Sequence, residues 1–278
     1  MMKITVLTEN TACKNIGCAH GLSLYIETAK HKILFDAGPK GELLLENAKH
    51  LGIDLTDVDI AILSHGHYDH AGGLKDFLDY NKKAKLYMQK HAPEGHFAYE
   101  NIGFVYIGVD PYIMEHYADR IIYSEDVLQI DEELLLFSDI KTADFCSGSN
   151  GSLQEGTEVE HQPDRFLHEQ NLIVREGDHA YLIAGCAHRG VINILRRAEE
   201  LIGTAPDAMF SGFHLTNPGK KIDEPQEMVE AVGRELKKYS THYYTGHCTG
   251  KGPYGILKEM LGDQVEYMSG GAEFLLLE

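Results

Sequence analysis

The chain predicts an α/β fold, a four-layer αββα sandwich, on two observations about order. Short apolar strand runs open each half, and strands alternate with amphipathic helices later in each half. That order suits two β-rich layers packed face to face with helices outside. No Pro/Ser/Gly-rich linker divides the 278 residues, so one domain spanning 1–278 is expected.

Three stretches begin the first half as strands. KITVLTE (3–9), LSLYIETA (22–29) and KILFDAG (32–38) are rich in β-branched and apolar residues and are bounded by Gly, Asn and Lys. GELLLENAKHLGI (41–53) reads as a helix because Leu43, Leu44, Ala48 and Leu51 recur at helical spacing. VDIAILSH (58–65) is a continuous apolar run of strand length, and DHAGGLKDFLDYN (69–81) leads away from it as a helix. In the second half FLHEQNLIVRE (166–176), HAYLIAGCAH (179–188), AMFSGFHL (208–215), THYYTGHC (241–248) and AEFLLLE (272–278) read as strands. RGVINILRRAEELIG (189–203), EPQEMVEAVGRELKKY (224–239) and YGILKEMLG (254–262) read as helices between them. The polar, Gly/Ser-rich segment 145–165 has no periodicity and reads as a surface loop or a lid.

Composition excludes several functions. A net charge of −18 disfavours nucleic-acid and anionic-membrane surfaces, which rely on Lys and Arg displacing counterions. No run approaches the roughly 18 apolar residues of a membrane span, and the opening MMKITVLTEN lacks the charged and apolar regions of a signal peptide, so a cytoplasmic protein is expected. Five cysteines, an odd number, do not suggest a disulfide framework. A small molecule is the expected partner; self-association is left open.

The densest chemistry lies in SHGHYDHAGG (64–73), at the end of a strand read as buried. Neutral imidazoles and a carboxylate are natural ligands of zinc and related ions, so His65, His67, Asp69 and His70 make sense together around metal. His65 and His67 can converge on one ion, and Asp69 and His70, on the following turn, can face a second. A solvated turn, or a helix cap by Asp69, explains one such residue but not four.

This HxHxDH signature resembles that of the metallo-β-lactamase superfamily, and the resemblance covers essentially the whole chain. It implies an αββα fold with a metal site at one edge, holding two divalent ions: zinc first, with manganese or iron as alternatives. It also implies that Asp36 in LFDAG supports the site from behind and that His247 in GHCTG is a ligand. HGLSLYIE, GCAHRGVINI, SGFHL and GHCTG look like the branch of the 7,8-dihydropterin-6-methyl-4-(β-D-ribofuranosyl)-aminobenzene-5'-phosphate synthase-like metal-dependent hydrolases.

The pattern also departs from the superfamily's. Where a bridging aspartate commonly ends a strand, this chain has AGCAHRG, with Cys186 at that place and His188 two residues on. His188 is the favoured ligand; Cys186 stands equally as a ligand or supporting group and as a small buried hydrophobe. His168 lies near the place of the third-motif histidine and is open between ligand, substrate contact and plain strand start. His214 in SGFHL reads as a hydrogen-bond donor to substrate or to a leaving oxygen. His91 and His96 have weaker claims, and His20, His31, His50, His116, His161, His179 and His242 read as surface or structural. In GHCTGKGPYG, Thr249, Gly250 and Lys251 could receive a substrate anion beside the metals.

The expected chemistry is hydrolysis of a small anionic ester by metal-activated hydroxide, with Asp69 orienting the nucleophile. The alternatives are a synthase-type transferase releasing diphosphate, a redox diiron protein and a non-catalytic metal-binding protein.

Overall fold

Two seven-stranded sheets face one another, and each changes from antiparallel to parallel pairing across its width. The computed structural model describes residues 1–100, 103–217 and 219–276. In the first sheet Met2–Thr8, Ser23–Glu27 and Lys32–Phe35 form an antiparallel meander, and Ile60–Ile62, Lys85–Gln89 and Ile121–Ser124 continue it in parallel. The second sheet repeats the plan. Leu134–Phe137, Asn171–Glu176 and His179–Ile183 pair antiparallel, and Ala208–Ser211, His242–Thr245 and Val265–Tyr267 follow in parallel. Hairpins suffice for the antiparallel part, whereas parallel neighbours need crossovers. This is why strand runs come first in each half and helices later.

Three apolar clusters make the four layers. Between the sheets, Ile4, Leu24, Ile33, Phe35 and Ile62 meet Leu134, Leu136, Leu172, Val174 and Phe210. The alternate residues of the same strands point outward: Leu34, Ala61 and Leu63 pack under Leu44, Leu74 and Phe77, while Leu135, Ile173 and Leu182 pack under Val191, Leu195 and Val232. Period-two alternation in strands buried on both faces reads as a continuous apolar run.

Several boundaries differ from expectation. The helix expected over 69–81 is two, Tyr68–Ala71 and Leu74–Tyr80. Gly72 and Gly73 break it, pressed so close to Pro39 and Ala37 that a Cβ on either would come 2.2 Å from a backbone oxygen. The stretch 82–140, where no element is expected, supplies Lys85–Gln89, Ile121–Ser124, Val127–Gln129 and Leu134–Phe137 to the main sheets. Segment 145–165 is not a plain loop, and its Ser149, Ser152 and Leu153 line the cleft of the site. Its Leu153–Gly156 and His161–Pro163 join His96–Glu100 and Gly103–Tyr106 in a small four-stranded sheet beside the site. The closing strand is Glu273–Leu276, and the last two residues of the expected 272–278 lie outside the described residues. Among the described residues, no helix is long and apolar enough to cross a membrane.

Candidate metal centre

The C-terminal ends of the parallel strands open on one edge of the sandwich, where ligand sites of open α/β sheets form. Lys32–Phe35 delivers Asp36, Ile60–Ile62 delivers His65, and His179–Ile183 delivers Cys186 and His188. Ala208–Ser211 and His242–Thr245 deliver His214 and His247. Just past these ends the chain turns left-handed at Asp36 (φ 59°), Ala187 (φ 52°), His214 (φ 50°) and His247 (φ 50°). Such residues are uncommon outside glycine and concentrate at functional sites.

Asp36 anchors both sides of the HxHxDH turn. Its Oδ1 accepts the Ser64 N–H at 2.7 Å, and its Oδ2 accepts Ser64 Oγ–H at 2.7 Å and His70 Nδ1–H at 2.6 Å. With its proton given to Asp36, Ser64 Oγ accepts from His65 Nδ1 at 2.8 Å. His188 Nδ1 faces Asn150 Oδ1 at 3.0 Å, and Asn150 Nδ2 donates to the His188 carbonyl at 2.8 Å, which fixes the orientation of the amide. Asn10 does the same for His247, with Oδ1 at 2.9 Å from Nδ1 and Nδ2 donating to the carbonyl at 3.3 Å. Buried Glu9 accepts the His247 N–H at 2.6 Å. Buried Glu169 accepts the backbone N–H groups of His188 and Arg189, and burial pushes its carboxyl up to about 7.

These four histidines therefore carry their neutral-state proton on Nδ1 and turn an Nε2 lone pair inward. His65 Nε2 lies 3.3 Å from His188 Nε2, and His70 Nε2 lies 3.2 Å from His247 Nε2. His65 and His188 are both held neutral by burial, so their facing lone pairs repel unless a cation sits beside them. Between His70 and His247 a proton on His70 can bridge the pair, and a metal would take its place. Asp69 Oδ2 is 3.3 Å from His247 Nε2, and Cys186 Sγ is 3.2 Å from His70 Nε2. His67 Nε2 and both ring nitrogens of His214 are buried without a hydrogen-bond partner. This donor set fits metal: His65, His67 and His188 could hold one ion, and Asp69, His70, His247 and Cys186 a second.

Electrostatics divides the set. Burial, reinforced by neighbouring imidazoles, holds His65 and His188 well below the ordinary histidine range; burial does the same for His67. Burial also acts on His70, but Asp36 and Asp69 overcome it and raise the imidazole to about 9. Asp69 is held well below the carboxylate range: burial opposes this, and His70, His20 and His247 outweigh it.

His168 stands outside the donor set. Its Nδ1 accepts the Gly66 N–H at 2.9 Å, so its proton is on Nε2, which faces Asp164 Oδ2 at 3.1 Å. His96, also buried, places Nδ1 3.3 Å from that same oxygen. His67, His96, Asp164 and His168 are close enough to suggest another cation pocket, but His168 has no lone pair left to offer it. It holds the backbone between His65 and His67 instead. His91 pairs with Glu94 at the protein surface.

Other expectations change as well. His20, read as surface or structural, places Nε2 3.2 Å from Asp69 Oδ2, with its ring tilted 34° to that of His247 and the centroids 4.6 Å apart. Its place in HGLSLYIE was the available signal. Thr249 is fully buried and its Oγ1 accepts the Phe213 N–H, so it ties two strand ends together. A Cβ on Gly250 would meet Thr216, and Lys251 opens on a separate hollow beside Tyr254 and Tyr267. That trio does not line the site. Glu9, Asn10, Ser64, Asn150 and Asp164 were not singled out, because isolated polar residues in loops carry no spacing signal.

The donors floor a cleft of about 1130 Å³. Tyr68, Tyr99, Ile107 and Leu153 form an apolar wall, and Ser149, Ser152, Asn217 and Lys220 a polar one.

The model of the metallo-β-lactamase superfamily matches residues 16–250. A 7,8-dihydropterin-6-methyl-4-(β-D-ribofuranosyl)-aminobenzene-5'-phosphate synthase of Methanocaldococcus jannaschii is 27% identical over 97% of this chain and 95% of its own. An uncharacterised protein of the same organism is 29% identical over 89% of this chain and 90% of its own. Among solved structures, Tm1679, a metal-dependent hydrolase of the β-lactamase superfamily, superposes with a TM-score of 0.83 at 24% identity, covering 100% of both chains. By sequence and by fold, then, the chain belongs to the metallo-β-lactamase superfamily.

Proposed function

We propose that the protein is a dinuclear metal-dependent hydrolase acting on a small anionic ester, with zinc as the first candidate metal. The observation that carries this reading is the convergence of four Nε2 atoms, His65 with His188 and His70 with His247, beneath a cleft lined by His67, Asp69, His188 and His247. Two divalent ions held by these residues would make hydroxide available at neutral pH and would polarise the oxygen under attack. The chain's own groups do the rest. Asp69 stays ionised and orients the nucleophile, so no separate base is needed. His214, with two unpaired ring nitrogens beside His188, donates a proton to the departing oxygen. Lys220, on the polar wall, attracts the substrate's anionic group, and the apolar wall keeps water from the rest of it.

Metal analysis followed by assays on phosphomonoesters, phosphodiesters, lactones and thioesters tests the reading. At least one class should be hydrolysed, and a chelator should abolish that activity. Hydrolysis that survives removal of both ions would overturn it. The second reading is a synthase-type transferase releasing diphosphate, supported by the near full-length match to the archaeal synthase. Incubation with the two synthase substrates separates the two.

A further inference from the structure

Cys186 and Cys248 belong to strands that are not neighbours. Each follows its strand by three residues, His179–Ile183 and His242–Thr245, and Ala208–Ser211 runs between the two. Two strand spacings, roughly 10 Å, would ordinarily keep such side chains apart. Cys248 crosses the gap by lying over the end of the middle strand at Gly212, where a Cβ would come 2.5 Å from its Sγ. Its Sγ lies 3.7 Å from the Cys186 carbonyl oxygen. Cys186, Cys248 and His247 present their donor atoms within 4.8 Å of one another. Both cysteines are buried, yet both line the floor of the cleft, so a small molecule that enters it reaches them.

We propose that Cys186 and Cys248 are a modification site: a pair that closes reversibly into a disulfide, with a small hydroperoxide as oxidant. One thiol sulfur takes the terminal oxygen of the hydroperoxide, giving a sulfenic acid and releasing the alcohol, or water when the oxidant is hydrogen peroxide. The second sulfur then displaces the sulfenic oxygen; its proton leaves with that oxygen as water, and the S–S bond forms. Two thiols are oxidised by two electrons and the peroxide bond is reduced by two. An S–S bond of about 2.05 Å draws Cys186 Sγ from its place 3.2 Å from His70 Nε2 and so alters the floor of the cleft. A dithiol reductant reverses the change. The proposal does not depend on which reaction the centre carries out.

The test exposes the full-length protein as isolated to hydrogen peroxide, traps remaining thiols with N-ethylmaleimide and maps peptides by mass spectrometry. The expected result is a peptide pair linked through Cys186 and Cys248, lighter by two hydrogens and released by dithiothreitol. Cys248→Ser should abolish the linked pair and leave Cys186 to proceed to sulfinic or sulfonic acid. Gly212→Ala, which keeps both thiols but displaces Cys248, should lower the yield of linked pair. Wild-type protein that yields no such pair, or that links Cys13, Cys18 or Cys146 in its place, would overturn the proposal.

Discussion

The two halves of the candidate centre share a residue type, histidine, but only one half has a carboxylate among its donors and a histidine raised above its ordinary range. His65, His67 and His188 have no carboxylate among themselves, and burial keeps them neutral. His70 and His247 share their half with Asp69, with Asp36 behind His70 and Glu9 on the His247 backbone. One half is thus uncharged. The other already holds negative charge and, when no metal is bound, recruits a proton onto His70.

Removing a donor from each half is the strongest way to test that division. His188→Ala should cost the first ion and Asp69→Ala the second, each read as about one equivalent lost in metal analysis. Activity should fall by more than the roughly 10–100-fold that loss of an outer hydrogen-bond partner costs. If either variant loses both ions in step, the halves are not independent.

The pH dependence should differ as well. The folded pKa of His70, about 9, lies above the ordinary histidine value of 6.5. Its proton therefore stabilises the metal-free fold fully below that ordinary value, and the contribution fades as pH rises through about 9. A metal must displace this proton, so affinity at the second position should rise with pH from neutrality through about 9. The first position, already neutral, should show no such rise above neutrality. Calorimetry at neutral pH in buffers of different ionisation heat checks this: proton release should accompany the second ion alone.

Weaker perturbations sharpen the comparison. Asp36→Asn touches both halves, through Ser64 to His65 and directly to His70, and should weaken both ions by about 10–100-fold. His168→Leu removes the acceptor for the Gly66 N–H and should weaken the first ion alone. His168→Asn, which can keep an acceptor there, should recover part of the loss. At the rim, Lys220→Ala should raise KM for an anionic substrate by at most about five-fold, the scale of an exposed ion pair. Lys251→Ala, outside the cleft, should leave it unchanged.

What could be read in the sequence follows from how local its cause is. The strands ending at Asp36, His65 and His188 declare themselves by continuous apolar runs, and four candidate donors sit within one decapeptide. The small sheet does not: His96–Glu100 pairs with Leu153–Gly156, far along the chain, so no local period reports it. The break at Gly72–Gly73 is likewise imposed by contact with Pro39 and Ala37, not by the helix's own pattern. Within the site, the candidate donors recur in motifs, whereas Asn10 and Asn150 act singly and have no signature. His20 does sit in the motif HGLSLYIE, but only the fold brings it to Asp69.

The left-handed strand ends set a limit on how stable this protein can become. Each such L-residue carries about 1–2 kcal/mol of backbone strain, which glycine would relieve. At Asp36 and His247 the side chain is committed to the centre, and His214 lines the cleft, so there relief would come at the expense of function. Ala187 has only a methyl group to lose. Ala187→Gly should raise unfolding stability by about 1 kcal/mol in denaturant titration without changing metal content, which makes it the one strained corner of this edge open to improvement by selection.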